Sequence, residues 1–90
     1  MYRIIIAPQA KNDLLKLQKS EPQAFKKAQR FIEELMVHPK TGTGHPEPLK
    51  GNLAGKWSRL ITMKHRMVYE IFESEVHVDI VSAYGHYGDK

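Results

Sequence analysis

Ninety residues allow one hydrophobic core and leave no room for a second, and an apolar content of 41% places the chain among globular sequences. With no cysteine, neither a disulfide nor a thiolate-held metal can brace the fold, so packing has to hold it. Lys and Arg outnumber Asp and Glu by 14 to 10, and the excess is uneven. Lys40, Lys50, Lys56, Arg59, Lys64 and Arg66 share a stretch whose one acid is Glu47, whereas Glu70, Glu73, Glu75, Asp79 and Asp89 crowd the last part of the chain. A basic block of this kind suits either a polyphosphate or an acidic protein. The apolar runs are too short for a membrane span or for the core of a signal peptide, so a cytoplasmic protein with no membrane association is expected.

Tyr2 to Ile6 is rich in β-branched residues and is closed by Pro8, which predicts a first strand. From Gln9 to about Gln18, Ala10, Leu14 and Leu17 fall at the spacing of one helical face. Ser20 followed by Pro22 and Gln23 has the form of a second helix start, with Ser20 as its cap. Phe25, Ala28, Ile32, Leu35 and Met36 then form an apolar stripe suited to a core, and His38-Pro39 ends the helix. Thr41 to Pro48 is punctuated throughout by Gly and Pro and predicts a loop without regular structure. Lys56–Thr62, Arg66–Phe72 and Val76–Ala83 predict three successive strands joined as hairpins. Val76, Val78 and Ile80 alternate with His77 and Asp79, as in a sheet with one face on a core. The glycine-bearing tail from Tyr84 to Lys90 should lie beyond the sheet. The expected architecture is a single α+β domain spanning residues 1–90, with two helices packed on a mainly antiparallel four-stranded sheet.

Three placements are not explained by packing. Pro46 and Pro48 stiffen the backbone on both sides of Glu47, which suits either presentation of a catalytic carboxylate or a turn in which Glu47 pairs with a nearby lysine. Arg59 and Arg66 lie on neighbouring predicted strands, where register decides whether both guanidinium groups share one face and grip phosphate. Surface pairing of these arginines with Glu70 or Glu73 is the competing reading. His86 and Tyr87 follow the last strand. His38, His45, His65 and His77 form no recognised ligand spacing, and neither a phosphate-binding glycine loop nor a G-x-S-x-G nucleophile is present, so no metal and no cofactor is expected.

The run Gly44-His45-Pro46-Glu47-Pro48-Leu49-Lys50-Gly51-Asn52-Leu53-Ala54-Gly55-Lys56-Trp57-Ser58-Arg59, followed by Ile61-Thr62, His65-Arg66-Met67-Val68-Tyr69 and the closing His86-Tyr87, resembles the YoeB/Txe family of the RelE toxin superfamily. The resemblance extends along essentially the whole chain. It implies a RelE-like fold and a type II toxin that cleaves messenger RNA in the A site of the 70S ribosome, without metal. In the implied reaction the ribose 2′-hydroxyl attacks the adjacent phosphate, with Glu47 as general base, His86 as general acid and Arg66 stabilising the phosphorane. Lys50 and Arg59 would hold phosphate and Tyr87 would contact a base. A YefM-like antitoxin with an acidic segment is the implied partner, in a hetero-oligomer or alongside a toxin homodimer. Where family members often carry a second arginine after Arg59 this chain has Leu60, and Gly88-Asp89-Lys90 extends past the His-Tyr pair. Two other readings are a relative of the same fold directed at DNA gyrase, and a non-catalytic basic module that binds RNA or an acidic protein.

Overall fold

The computed structural model describes residues 1–85. A short strand, β1 (Arg3–Ile6), leads into two consecutive helices, α1 (Pro8–Ser20) and α2 (Pro22–Leu35). Pro8 belongs to α1 rather than to the strand before it, in the first-turn position where the missing N–H costs nothing. One residue, Glu21, separates the helices; its N–H donates to the Leu17 carbonyl and its own carbonyl accepts from Phe25, so it is held by both. Glu21, not Ser20, occupies the N-cap position of α2. Ser20 ends α1, its hydroxyl donating to the Lys16 carbonyl at 2.7 Å.

The remaining elements are β2 (Glu47–Pro48), β3 (Lys56–Leu60), β4 (Arg66–Phe72) and β5 (His77–Ser82). They form a five-stranded sheet in the order β1-β5-β4-β3-β2. β1 runs parallel to β5, and the other pairings are antiparallel. The α+β architecture therefore agrees with expectation, with one strand more. That strand is β2, inside the segment expected to be structureless. Proline fixes an extended φ and removes only a donor, which an edge strand tolerates because it pairs along one side.

The helices cover one sheet face. α2 buries Ala24, Ala28, Phe31 and Leu35, and α1 buries Ala10 and Leu17, against Ile61, Met67, Tyr69, Val78, Ile80 and Ala83. The stripe on α2 is thus rotated from the predicted one: Phe31 lies at its centre, while Phe25 and Ile32 flank it and are half-buried. α2 also stops at Leu35, before His38-Pro39. At the far edge Tyr2 donates to Glu73 at 2.7 Å and Lys40 pairs with the same carboxylate at 2.7 Å, a surface clasp that lowers the Glu73 pKa chiefly through the Lys40 hydrogen bond.

Candidate active site

The register of the β3–β4 hairpin assigns the two arginines to opposite faces. Leu60 lies opposite Arg66, Arg59 opposite Met67 and Ser58 opposite Val68. Side chains of directly opposed residues share a face and successive residues alternate. Arg59 therefore points with Met67 and Tyr69 toward the helices, and Arg66 points with Ser58 and Val68 away from them.

Glu47 extends the outer face by one strand, because it lies opposite Ser58 in the β2–β3 pairing. Its carboxylate Oε2 is 3.8 Å from Arg66 Nη1, and the same guanidinium nitrogen is 3.4 Å from the buried Ser58 hydroxyl. A separation of 3.8 Å is an ion pair without a hydrogen bond, so the carboxylate is oriented by the cation while keeping an accessible oxygen. The Glu47 side chain is 51% exposed and the Arg66 side chain 22%. Glu47, Pro48, Leu49 and Lys50 line a shallow groove, and Lys50 is exposed beside it. A carboxylate paired with a guanidinium thus sits beside a groove that an exposed lysine also lines, a set whose chemistry suits holding a phosphodiester and accepting a proton from a neighbouring hydroxyl. The 3-10 turn Gly51–Leu53 and the bond from Leu49 N–H to the Lys56 carbonyl, 2.8 Å, fix the groove to the sheet.

Arg59 has a different task from the phosphate contact expected of it. Its side chain is fully buried. Nη1 donates to Glu34 Oε1 at 2.6 Å and to the Thr43 carbonyl at 3.3 Å, and Nη2 donates to the carbonyls of His38 and Thr41 at 2.6 and 2.8 Å. Nε donates to the Tyr69 hydroxyl at 3.3 Å, which in turn donates to the Pro39 carbonyl at 2.8 Å. A planar fork of donors is being used to gather the carbonyls of an irregular segment that has no strand partner. Burial alone would raise the Glu34 carboxyl, but the hydrogen bonds from Thr43 and Arg59 outweigh it and hold the pKa below the ordinary carboxylate value. Burial also raises the Tyr69 phenol, against the pull of Arg59. The competing surface pairings are taken by lysines: Lys56 sits 3.6 Å from Glu70 and Lys40 pairs with Glu73.

Arg59 thereby anchors the segment that delivers Glu47. Two glycines in that segment sit in left-handed backbone against the core. A β-carbon on Gly44 (φ 81°) would lie 2.5 Å from Phe31 Cζ, and one on Gly42 (φ 118°) 2.5 Å from Glu34 Oε1. The Gly44 carbonyl accepts from Leu60 N–H at 2.7 Å, and after this tie the chain turns through His45 and Pro46 into β2.

Two polar residues that sequence reasoning passed over are buried near the chain's exit from the sheet. Asp13 accepts from Ala83 N–H at 2.9 Å and from the Gln9 amide at 2.8 Å. His65, set aside in the sequence with the other histidines for want of a ligand spacing, is 3% exposed and bonded through both ring nitrogens, to Glu21 and to Gly85 N–H. The signal for Asp13 was available, because a charge at i+3 between Ala10 and Leu17 falls on the buried face of α1. His86 and Tyr87 lie outside the described residues. Among the described residues no group of three or more His, Asp or Glu side chains could hold a metal ion, and no helix is long and apolar enough to cross a membrane.

Residues 6–87 match the family model described as YoeB-like toxin of bacterial type II toxin-antitoxin system. The chain belongs to the YoeB family. Toxin YoeB of Escherichia coli K12 is 36% identical over 74 residues, covering 82% of this chain and 88% of that protein. The solved YoeB/ParE toxin from Agrobacterium tumefaciens superposes with a TM-score of 0.87 at 32% identity, covering 94% of this chain and 99% of the other. A YoeB-YefM complex from Staphylococcus aureus gives 0.81 at 33% identity, covering 97% and 99%. The YoeB fold thus accounts for the two helices and the mixed sheet, and the protein is a toxin of the type II class.

Proposed function

We propose that this toxin is a ribosome-dependent messenger-RNA endonuclease that works by acid–base catalysis with its own side chains. The observation that carries the reading is the meeting of Glu47 and Arg66 on the outer face of the sheet, 3.8 Å apart, with Glu47 and Lys50 lining one groove. Glu47 takes the proton from the ribose 2′-hydroxyl as its oxygen bonds to phosphorus. Arg66 neutralises the added negative charge on the phosphorane. The bond from phosphorus to the 5′-oxygen breaks, and His86 gives that oxygen a proton. The products are a 2′,3′-cyclic phosphate and a free 5′-hydroxyl, with Lys50 on phosphate and Tyr87 against a base. Positioned acids and bases each contribute about 10² to 10⁴-fold. The buried Arg59 is left out of this substrate set.

The partner we propose is a YefM-like antitoxin, on the model of the S. aureus complex, whose acidic segment orders on the basic surface. The 70S ribosome would present the message, and a toxin dimer, as in the S. aureus YoeB dimer, is a further assembly. Primer extension on a defined message with programmed ribosomes tests the reading: discrete A-site cuts that weaken in Glu47→Ala, Arg66→Ala and His86→Ala support it. Intact binding with no cut by the wild-type chain would replace it with a non-catalytic RNA-binding module.

A further inference from the structure

The chain leaves the sheet through a segment that has no strand partner of its own, and buried side chains hold it there. β5 ends at Ser82. The next amides would be orphaned, yet Asp13 accepts from Ala83 N–H and the His65 ring accepts from Gly85 N–H at 2.9 Å. The Gly85 carbonyl accepts from Arg66 N–H at 2.8 Å. Both backbone polar groups of Gly85 are therefore fixed to one dipeptide, His65-Arg66, whose second residue reaches Glu47.

His65 is itself fixed. Its Nε2 is 2.7 Å from Glu21 Oε2, on the residue that both helices hold, and its ring lies 4.4 Å from that of Tyr84. Its backbone closes the β3–β4 turn, the carbonyl accepting from Ile61 at 2.9 Å and Thr62 at 3.2 Å. Because Nδ1 accepts from an amide, the ring proton sits on Nε2, where Glu21 accepts it. An apolar side chain would fill the same space but bond neither neighbour.

We infer that His65, backed by Glu21, is a positioning residue of the reaction: it fixes Gly85 relative to Arg66, and so sets the point from which the chain continues to His86. This rests on the acid–base reading above. A displacement of about 1 Å in a reacting group costs on the order of 10²-fold in rate, so a fixed Gly85 beside Arg66 bears directly on the reaction.

Two substitutions separate positioning from packing. His65→Asn places its amide oxygen where Nδ1 was, keeping the acceptor for Gly85 and losing Glu21. His65→Gln reaches Glu21 and loses Gly85. Single-turnover cleavage on programmed ribosomes should fall about 10 to 100-fold in His65→Gln, in rate rather than in half-saturating concentration, and stay within about threefold of wild type in His65→Asn. Amide exchange at Gly85 should quicken in His65→Gln only. A wild-type cleavage rate in His65→Gln would overturn the inference, as would equal losses in both variants that track their melting temperatures. Failure of the wild-type chain to cleave overturns the acid–base reading instead, and is told apart because the variants are then not needed.

Discussion

Arg59 and Arg66 stand seven residues apart on one hairpin and have opposite fates. Arg59 is buried among carbonyls and a carboxylate on the helix side, whereas Arg66 lies on the outer side against Glu47 and Ser58. Composition and charge treat them alike, and strand parity separates them. The difference teaches that an arginine in a basic block is a candidate substrate contact only once its face is known. It also shows that this small toxin uses one arginine to build the loop that leads to Glu47 and sets another on the outer face beside that carboxylate, where the proposed reaction needs a cation.

The comparison breaks most visibly in activity. Glu47→Gln should lower cleavage by about 10² to 10⁴-fold and Arg66→Ala by about 10² to 10³-fold. Both should leave the thermal midpoint close to wild type, as checked by primer extension beside a melting curve. Arg59→Met should do the reverse in kind: stripping a buried cation from Glu34 and three carbonyls costs about 3 to 5 kcal/mol, read from urea unfolding. A stable Arg59→Met with lost cleavage would assign Arg59 to the substrate after all. Gly44→Ala should cost about 1 to 3 kcal/mol through its left-handed φ and the collision with Phe31.

Acidification gives a finer test of the Arg59 side. The Glu34 pKa is lower in the folded chain than its ordinary 4.5. Its charge therefore contributes stability that is present above that value and is lost as pH falls through the depressed one. Glu34→Gln should flatten the acid limb of stability below about pH 4.5, measured as melting temperature against pH. The smallest effect belongs to the surface: Lys40→Ala opens an exposed pair and should leave unfolding unchanged within experimental scatter.

Much of the fold was legible in the sequence because period carries it. The two helices and three hairpin strands fall close to their predicted places, since alternation and 3.6-residue spacing are properties of the residues themselves. What was hidden depends on partners distant in sequence. β2 exists because β3 offers it an edge, and the centre of the α2 stripe was obscured because Phe31 adjoins the equally apolar Ile32 and the small Ala24 adds little weight to the buried face. For the candidate site, Glu47 stood out through its flanking prolines and Arg66 through its place on a strand beside that of Arg59, with its role implied by the resemblance. Nothing local distinguished Arg59 from a surface cation or His65 from the other histidines, because each is defined by carbonyls, carboxylates or amides 16 or more residues away. His86 and Tyr87, singled out by their place after the last strand and given roles by the resemblance, lie outside the described residues.

The parallel pairing of β1 with β5 also has a temporal consequence. Arg3 is matched to His77 and Ile6 to Ile80, so β1 waits for a strand made about 70 residues later. Loop closure over such a distance is slow and must precede the contacts that reward it. A nascent chain at the stage of β4 has both arginines of the hairpin already made but no strand to seat Ile4 and Ile6, and no Ala83 amide for Asp13. Closure of the sheet is thereby deferred until β5 has been made, and the interval before it is when this chain is most exposed to proteases and to aggregation.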